Sequence, residues 1–200
     1  MIKKIEVPVS QLEICRKEAL RYAGVKGEAD EKLLELYAEA KALISECVFP
    51  KAVYKVVEVS YFEDGVYLGE DKIHSAGLKK FLGTAQKAAL MAATAGIEAD
   101  RLINRYSMVT PSLALMLDAL SAATVESLCN KLCGGCFMVE EQRRFSPGYG
   151  DFPIEYQRKM IEHLKADLNI GVTLTNSLML APSKSVTAVV PLKGCLQNEF

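Results

Sequence analysis

The chain has 200 residues, of which 50% are hydrophobic and 24% are charged, and its formal net charge is −1. A chain of this length can bury one well-packed core, and its balanced charge offers no basic surface to nucleic acid or to an anionic membrane. The absence of tryptophan and an aromatic content of 8% also argue against a platform on which nucleic-acid bases could stack.

Helical patterns recur along the chain. Apolar residues at helical spacing predict six helices, over residues 12–22, 30–49, 75–82, 97–106, 111–132 and 154–168. Asp30 is placed to cap the second helix, and Pro111 to begin the fifth and longest. Gly134-Gly135 is placed to end that long helix. The last helix is predicted to bury Met160, Ile161, Leu164 and Leu168.

Strand patterns alternate irregularly with these helices. Residues 53–62 are rich in β-branched and aromatic side chains, and Asp64-Gly65 separates them from a short run at 66–68, which predicts a β-hairpin. The apolar run 87–94 fits either a strand or a helix. Two more strands are predicted around residues 182–184. With no linker-like tract, residues 1–200 are predicted to form a single α+β domain, in which several helices pack on a mainly antiparallel twisted sheet.

The N-terminus, the longest apolar run and the cysteines indicate in which compartment the protein resides. The N-terminus lacks the apolar stretch of a signal peptide, and the longest apolar run, about residues 88–97, is too short to span a bilayer. The six cysteines are scattered through a chain with no secretion signal, which favours thiols over a disulfide framework. We therefore expect a cytoplasmic protein without a membrane partner.

Segment 144–153 carries the strongest functional signal. Pro147 fixes φ and Gly148 can adopt a positive φ, so the pair predicts a rigid turn with exposed backbone N–H groups. The guanidinium of Arg144 can bind a carboxylate through two parallel hydrogen bonds, and Tyr149 adds a flat face and a hydroxyl. These residues predict a site for a small zwitterionic or anionic ligand. The alternative is an ordinary Pro-Gly turn beside a surface salt bridge.

Three motifs follow one another between residues 144 and 186. Their residues are Arg144, Pro147, Gly148 and Tyr149, then Gly171, Leu174, Thr175 and Ser177, then Pro182, Ser185 and Val186. In order and spacing they resemble the S-adenosylmethionine-binding activation domain of cobalamin-dependent methionine synthase. That family has an Arg-x-x-Pro-Gly-Tyr turn, a helix, a Gly-x-x-Leu-Thr-x-Ser strand and a Pro-x-x-Ser-Val-Ser-Gly segment. The resemblance also implies a central strand at 87–94.

The resemblance implies an S-adenosylmethionine site between the turn and the long helix. Arg144 would bind the methionine carboxylate, Tyr149 would pack on the ligand, and the turn would offer backbone groups. Glu126 would face the cationic end, and Asn130 stands where the family pattern has a second acid. The implied ligand-binding residues are Arg144, Ser146, Pro147, Gly148, Tyr149, Gly150, Asp151 and Glu126. No catalytic residue or metal ligand is implied, because the cobalt acts as the nucleophile.

The function that the resemblance implies is that of a stand-alone activation subunit. It would bind S-adenosylmethionine for the reductive methylation of inactive cob(II)alamin held by a separate methionine synthase or related corrinoid protein, with an electron donor such as a flavodoxin. The alternative is a non-catalytic binding or interaction module for other corrinoid proteins, with a reduced ligand pocket. Asn130 and the lack of a tyrosine that closes the site after the last motif favour this alternative. Whether the chain is itself an enzyme stays open.

Two other groups of residues could carry chemistry. Cys129, Cys133 and Cys136 have the spacing of a radical S-adenosylmethionine iron–sulfur site, but they fall at the end of an amphipathic helix. A structural role is predicted for them, with a metal or redox role as the alternative. His74 and His163 lie in no metal-ligand pattern, and His163 is predicted to face outward. A Gly-x-Gly-x-x-Gly motif after a strand and a phosphate-binding loop are both lacking, which disfavours a Rossmann-type enzyme.

Overall fold

The structure, a computed structural model, describes residues 1–137 and 143–192. Eight strands lie within these residues: β1 (Ile2–Glu6), β2 (Lys51–Phe62), β3 (Gly65–Leu68), β4 (Asp71–His74), β5 (Lys87–Thr94), β6 (Thr173–Leu174), β7 (Leu180–Ala181) and β8 (Ser185–Leu192). The same residues contain seven α-helices: α1 (Arg16–Tyr22), α2 (Glu31–Cys47), α3 (Ala76–Leu82), α4 (Ile97–Ser107), α5 (Pro111–Lys131), α6 (Tyr156–Leu164) and α7 (Ala166–Ile170).

A curled antiparallel sheet organises the described part of the chain. Its order is β4-β3-β2-β5-β8, and β1 also pairs with β2. Strand β2 is 12 residues long, so two strands can pair with different parts of it. Its residues 51–55 pair with β1, and its residues 59–62 pair with β3. The predicted Asp64-Gly65 hairpin joins β2 to β3, and β6 and β7 form a separate hairpin. The prediction of a single α+β domain with a mainly antiparallel sheet is therefore confirmed.

Helices cover both faces of this sheet, which explains the composition of β5. Alternate side chains of β5 belong to two different cores, one shared with α1, α2, α4 and α5 and the other with α3, α6 and α7. The first set is Ala89, Met91 and Ala93, and the second is Ala88, Leu90 and Ala92. A strand that is buried on both faces loses the alternation of polar and apolar residues, so its sequence also fits a helix. The expectation of a central strand at 87–94 is confirmed.

Helix α5 contributes more buried residues than any other helix to the larger core, which it shares with α1, α2 and α4. Pro111 occupies its first turn as predicted. The stripe of residues at helical spacing along the helix is buried at every position: Leu113, Leu117, Leu120, Thr124, Leu128 and Leu132. Within the described residues, one helix, 111–136, is long and apolar enough to cross a membrane, and 72% of its most apolar window is buried inside the fold. Burial in the core therefore accounts for its hydropathy. The helix does not end at Gly134-Gly135, because residues 132–136 add a π-helical turn.

The other predicted helices differ from the structure mainly at their ends. Asp30 caps α2, accepting a hydrogen bond of 2.9 Å from the Leu33 N–H. The predicted helix 12–22 begins only at Arg16, since Leu12 and Cys15 have an extended backbone. The predicted helix 154–168 is two helices, broken at Lys165, which has a φ of 46°. Leu168 lies in α7, after this break, and is 80% exposed, so the prediction that it is buried is wrong.

Candidate functional site

The turn formed by residues 144–151 is attached to the outer edge of the sheet. Phe145 pairs with Val189 of β8: its N–H donates to the Val189 carbonyl at 3.1 Å and its carbonyl accepts from the Val189 N–H at 2.8 Å. At the other end of the turn, Phe152 is buried and its ring stacks on that of Phe145 with 6.1 Å between centroids. A short β-bridge and an aromatic pair therefore fix both ends of the turn.

Glycine is required inside the turn, as the sequence predicts. Gly148 has a φ of 88°, and a Cβ there would lie 2.8 Å from Cδ1 of Ile154. The Gly148 N–H donates to the Phe152 carbonyl at 2.8 Å, and the Tyr149 N–H donates to the Ser146 carbonyl at 3.1 Å. These two N–H groups stabilise the turn itself, so a ligand would have to use other groups.

Asp151 binds the beginning of α3. Its carboxylate accepts hydrogen bonds from the Ser75 hydroxyl at 2.5 Å, the Ala76 N–H at 2.7 Å and the Gly77 N–H at 3.1 Å. The hydrogen bond from Ser75 is the main reason that the pKa of Asp151 lies below its ordinary value. A carboxylate at a helix N-terminus satisfies N–H groups that have no partner within the helix. Asp151 therefore ties the turn to α3, a role that the sequence reasoning missed.

Arg144 reaches from the turn to the end of α5. Its Nη2 donates to the Glu126 carboxylate, and its Nη1 donates to Oδ1 of Asn130 at 2.7 Å. Glu126 and Asn130 lie one helical turn apart and so share a face of α5. The Arg144 side chain is 14% exposed, whereas that of Glu126 is 38% exposed. The structure thus brings together two of the predicted ligand-binding residues, Arg144 and Glu126, and they bind each other.

Charge and burial set the protonation of the groups around Arg144. Burial lowers the pKa of Arg144, but Cys129 and Glu126 outweigh it, so the net shift is upward and the guanidinium stays charged. Burial raises the pKa of Cys129 to about 12, and it also raises the pKa of Cys133, which lies 4.0 Å from Arg144 through its sulfur. These two side chains are therefore protonated thiols at neutral pH, poorly suited to bind a metal or act as nucleophiles.

Replacing Cys129, Cys133 and Cys136 together with alanine should leave ligand binding intact. We expect a loss of stability of a few kcal/mol at most, because each change opens only a small cavity. The described residues contain no group of three or more His, Cys, Asp or Glu side chains arranged to hold a metal ion. Denaturation measures the change in stability, and metal analysis of anaerobically purified protein measures any bound metal. Stoichiometric iron or zinc that disappears in the variant would contradict it.

The exposed part of the turn is its tip. Tyr149 is 71% exposed, with its ring edge-on to Phe145 at 5.7 Å between centroids. Gly150 is also exposed, whereas Pro147 is buried and Ser146 is half-buried. Among the predicted ligand-binding residues, Tyr149 therefore offers the largest free surface.

The third motif runs into the start of β8, and the second lies in the β6–β7 hairpin, whose strand β7 contacts β8. Thr175 and Ser177 form a tight turn between β6 and β7, with their hydroxyl oxygens 2.9 Å apart. Ser185 at the start of β8 hydrogen-bonds to the Thr94 hydroxyl at 2.8 Å and to the Pro182 carbonyl at 2.7 Å. Gln157 of α6 links the two regions, since its amide contacts both the Leu178 carbonyl and the Thr187 hydroxyl at 3.4 Å. The first motif is thus joined to β8 through Phe145, the second through Gln157, and the third runs into β8 itself.

A second polar cluster, which the sequence analysis did not identify, joins β4 to α6. Asp71 has a side chain that is only 11% exposed, and it accepts hydrogen bonds from Lys159 at 2.6 Å, His163 at 2.5 Å and Tyr156 at 3.1 Å. His163 is therefore turned toward Asp71, and the prediction that it faces outward is wrong. His74 pairs with Asp64 on the surface. The helical spacing of Tyr156, Lys159 and His163 was a visible signal, but their partner is distant in sequence.

The Asp71 cluster predicts a specific pH dependence of stability. Burial opposes ionisation of Asp71, but its three hydrogen bonds prevail and hold its pKa below the ordinary value. A lowered folded-state pKa contributes stability above the unfolded-state pKa of about 4, and this stability is lost as the pH falls through the folded-state value. Asp71→Asn should therefore cost about 1–2 kcal/mol at pH 7 and lose less stability than the wild type on acidification.

Urea denaturation at a series of pH values measures this effect. Asp64→Asn is the matched control, because Asp64 pairs with His74 on the surface and its side chain is 66% exposed. We expect the control to follow the wild type closely. Parallel stability curves for wild type and Asp71→Asn below pH 5 would contradict the prediction.

Comparison with known proteins identifies a solved structure with a similar fold. No protein-family model and no curated protein matches the chain. Among solved structures, the MetH reactivation domain bound to AdoHcy (S-adenosylhomocysteine) matches with a TM-score of 0.72 and 17% sequence identity. The match covers 100% of this chain and 80% of that one. The chain therefore has the fold of the MetH reactivation domain over its whole length.

Proposed function

We propose that the chain is an activation subunit that binds S-adenosylmethionine and presents its methyl group to a cobalamin held by a separate methionine synthase. The observation that carries this proposal is the full-length fold match to a reactivation domain solved with AdoHcy. AdoHcy is S-adenosylmethionine without its transferable methyl group. The packing of the motifs around β8 supports the same function: Phe145 in the turn pairs with Val189, and Gln157 joins Leu178 to Thr187.

The side chains around the turn suit the methionine end of the ligand. The guanidinium of Arg144 has the N–H donors that suit a carboxylate, and the oxygen atoms of Glu126 and Asn130 suit an ammonium group, although within the protein these groups bind each other. Tyr149 has an exposed ring that can pack on the ligand. In this account the chain binds and orients, and it supplies no acid, base or nucleophile. Cobalamin held by the partner would supply the nucleophile, its reduced cobalt.

The partner is expected to bind transiently. The cobalamin face that accepts the methyl group must also be free for substrates during ordinary turnover, so a permanent complex would block turnover. A modest, partly polar interface around the tip of the turn meets this requirement. The electron would come from a donor such as a flavodoxin, and the reaction would take place in the cytoplasm.

The internal contacts of three predicted ligand-binding residues support a second candidate function. Arg144 and Glu126 bind each other, and Asp151 binds α3, so three of the predicted ligand-binding residues have partners within the fold. This arrangement favours an interaction module for other corrinoid proteins, in which the ligand pocket is reduced. In such a module the motifs would persist because they hold the fold together.

Calorimetric titration of the purified chain with S-adenosylmethionine and with S-adenosylhomocysteine separates the two functions. The activation subunit should bind both with a stoichiometry of one. Methylthioadenosine, which lacks the amino-acid end, should bind more weakly, because it makes no contact with Arg144 or Glu126. If the folded chain binds none of these compounds, the proposed function is wrong and the interaction module replaces it.

A further inference from the structure

Cys133 and Cys136 form a pattern that the proposed function does not use. With Gly134 and Gly135 between them they make a Cys-x-x-Cys sequence, the spacing found in thiol–disulfide oxidoreductases. All four residues lie in the π-helical turn 132–136 that follows α5. Residues three positions apart on a helix are neighbours. Burial raises the pKa of Cys136, and Cys133 raises it further, as expected for two adjacent thiols.

The two thiols differ in their access to solvent. Cys133 is fully buried in the core, with its sulfur 4.0 Å from Nη1 of Arg144. Cys136 is half-buried and lines a half-open apolar cavity of about 170 Å³, together with Val7 and Lys131. A small neutral molecule can therefore reach Cys136 in the folded protein, whereas it cannot reach Cys133.

The two glycines give the turn room to change shape. A disulfide needs Cβ atoms about 3.5–4.5 Å apart, which is closer than the about 5–6 Å between neighbours on a helix. The turn must therefore tighten before the two sulfurs can bond. A Cβ at Gly134 or Gly135 would meet no described atom within 4 Å, so this part of the turn can move without a steric clash. Glycine also adopts a wider range of backbone conformations than other residues.

We propose that Cys133 and Cys136 are a redox-active pair, which a low-molecular-weight disulfide that enters the cavity converts to an intramolecular disulfide. In the first step the Cys136 thiol loses its proton and attacks one sulfur of the reagent, whose S–S bond breaks and releases one thiol. In the second step the Cys133 thiol loses its proton and attacks the Cys136 sulfur, and the second thiol leaves. The two cysteines lose two electrons, which the reagent gains.

Burial makes this reaction slow without preventing it. The raised pKa of Cys136 keeps its thiolate fraction small at neutral pH. Cys133 is a poor nucleophile toward molecules in solution, but in the second step its target lies on the same turn, so the attack is intramolecular. Cys129 is fully buried one helical turn earlier and has a pKa of about 12, so it keeps a structural role.

Peptide mapping of the full chain tests the proposal. The folded protein is incubated with 2-hydroxyethyl disulfide at about pH 8.5, near the ordinary pKa of a thiol. It is then quenched, unfolded, alkylated and digested with trypsin. Cleavage after Lys131 and Arg143 gives peptide 132–143, which contains Cys133 and Cys136 and no other cysteine. The main product should be this peptide without alkylation and lighter by two hydrogen atoms, and dithiothreitol should reverse the change.

Single substitutions separate the two steps. Cys133→Ala should stop after the first step and keep half of the reagent on Cys136 as a mixed disulfide. Cys136→Ala should leave Cys133 unmodified in the folded protein and allow it to react in urea. Cys129→Ala is the matched control, because it removes a neighbouring buried thiol and should form the same disulfide as the wild type.

Three results would overturn the proposal. They are a wild type that keeps two free thiols in peptide 132–143, a wild type that accumulates the mixed disulfide, and a disulfide that joins Cys129 to Cys133. Modification of Cys133 in folded Cys136→Ala would also contradict it, since the reagent would then not need Cys136. The test does not involve S-adenosylmethionine, so its outcome is independent of the proposed function.

Discussion

Replacing Arg144 with alanine is expected to weaken S-adenosylmethionine binding about ten- to hundredfold, the contribution of a two-point, charge-assisted contact with a carboxylate. The loss of folding stability should be smaller, about 1 kcal/mol. Glu126, the partner left behind, has a side chain that is 38% exposed and stays hydrated without Arg144. Arg144→Lys should restore only part of the affinity, because a lysine lacks the planar fork of donors.

Calorimetry measures the affinity, and urea denaturation measures the stability of the same samples. Arg101→Ala is the matched control: Arg101 forms a surface ion pair with Glu98 and has a side chain that is 68% exposed. The control should bind the ligand as the wild type does. Wild-type affinity in Arg144→Ala would remove Arg144 from the site.

The largest effect on stability is expected at Gly65, where β3 begins. A Cβ at this position would lie 2.1 Å from the Ile73 carbonyl oxygen and 2.7 Å from Cζ of Phe62. The first contact involves the backbone of β4, which cannot move aside without breaking its pairing with β3. Gly65→Ala should therefore cost about 3 kcal/mol or more, at the upper end of the range for overpacked sites.

The same substitution should also affect ligand binding, because β4 leads directly into the part of α3 that holds the turn. Asp71 lies at the start of β4, and Ser75 follows its end and donates to Asp151. Gly134→Ala is the control, since a Cβ there meets no atom within 4 Å. Thermal denaturation compares the two variants. A Gly65→Ala protein as stable as Gly134→Ala would show that the described hairpin geometry is wrong.

The sequence predicts the elements of this fold well because each depends on local chemistry. The stripe along α5, the Asp30 cap of α2 and the Asp64-Gly65 hairpin depend on residues within a few positions of each other. Residues 87–94 could not be assigned from periodicity alone, since burial on both faces removes the strand pattern. The resemblance to a known family supplied that strand.

The contacts within the site could not be predicted in the same way. Arg144 meets Glu126, 18 positions earlier, and Asp151 meets Ser75, 76 positions earlier, so both contacts depend on how the helices pack. The sequence identified residue types suited to a zwitterion, and the structure shows that part of their bonding capacity is used within the protein.

The most direct test of the activation function uses methionine synthase loaded with cob(II)alamin, a reductant and S-adenosylmethionine. Adding this chain should restore the absorbance spectrum of methylcobalamin, and the ordinary turnover of the synthase should be unchanged. Tyr149→Ala, which removes an exposed ring from the tip of the turn, should slow the recovery. Recovery that proceeds equally well without the chain, or that never occurs with it, would contradict the account.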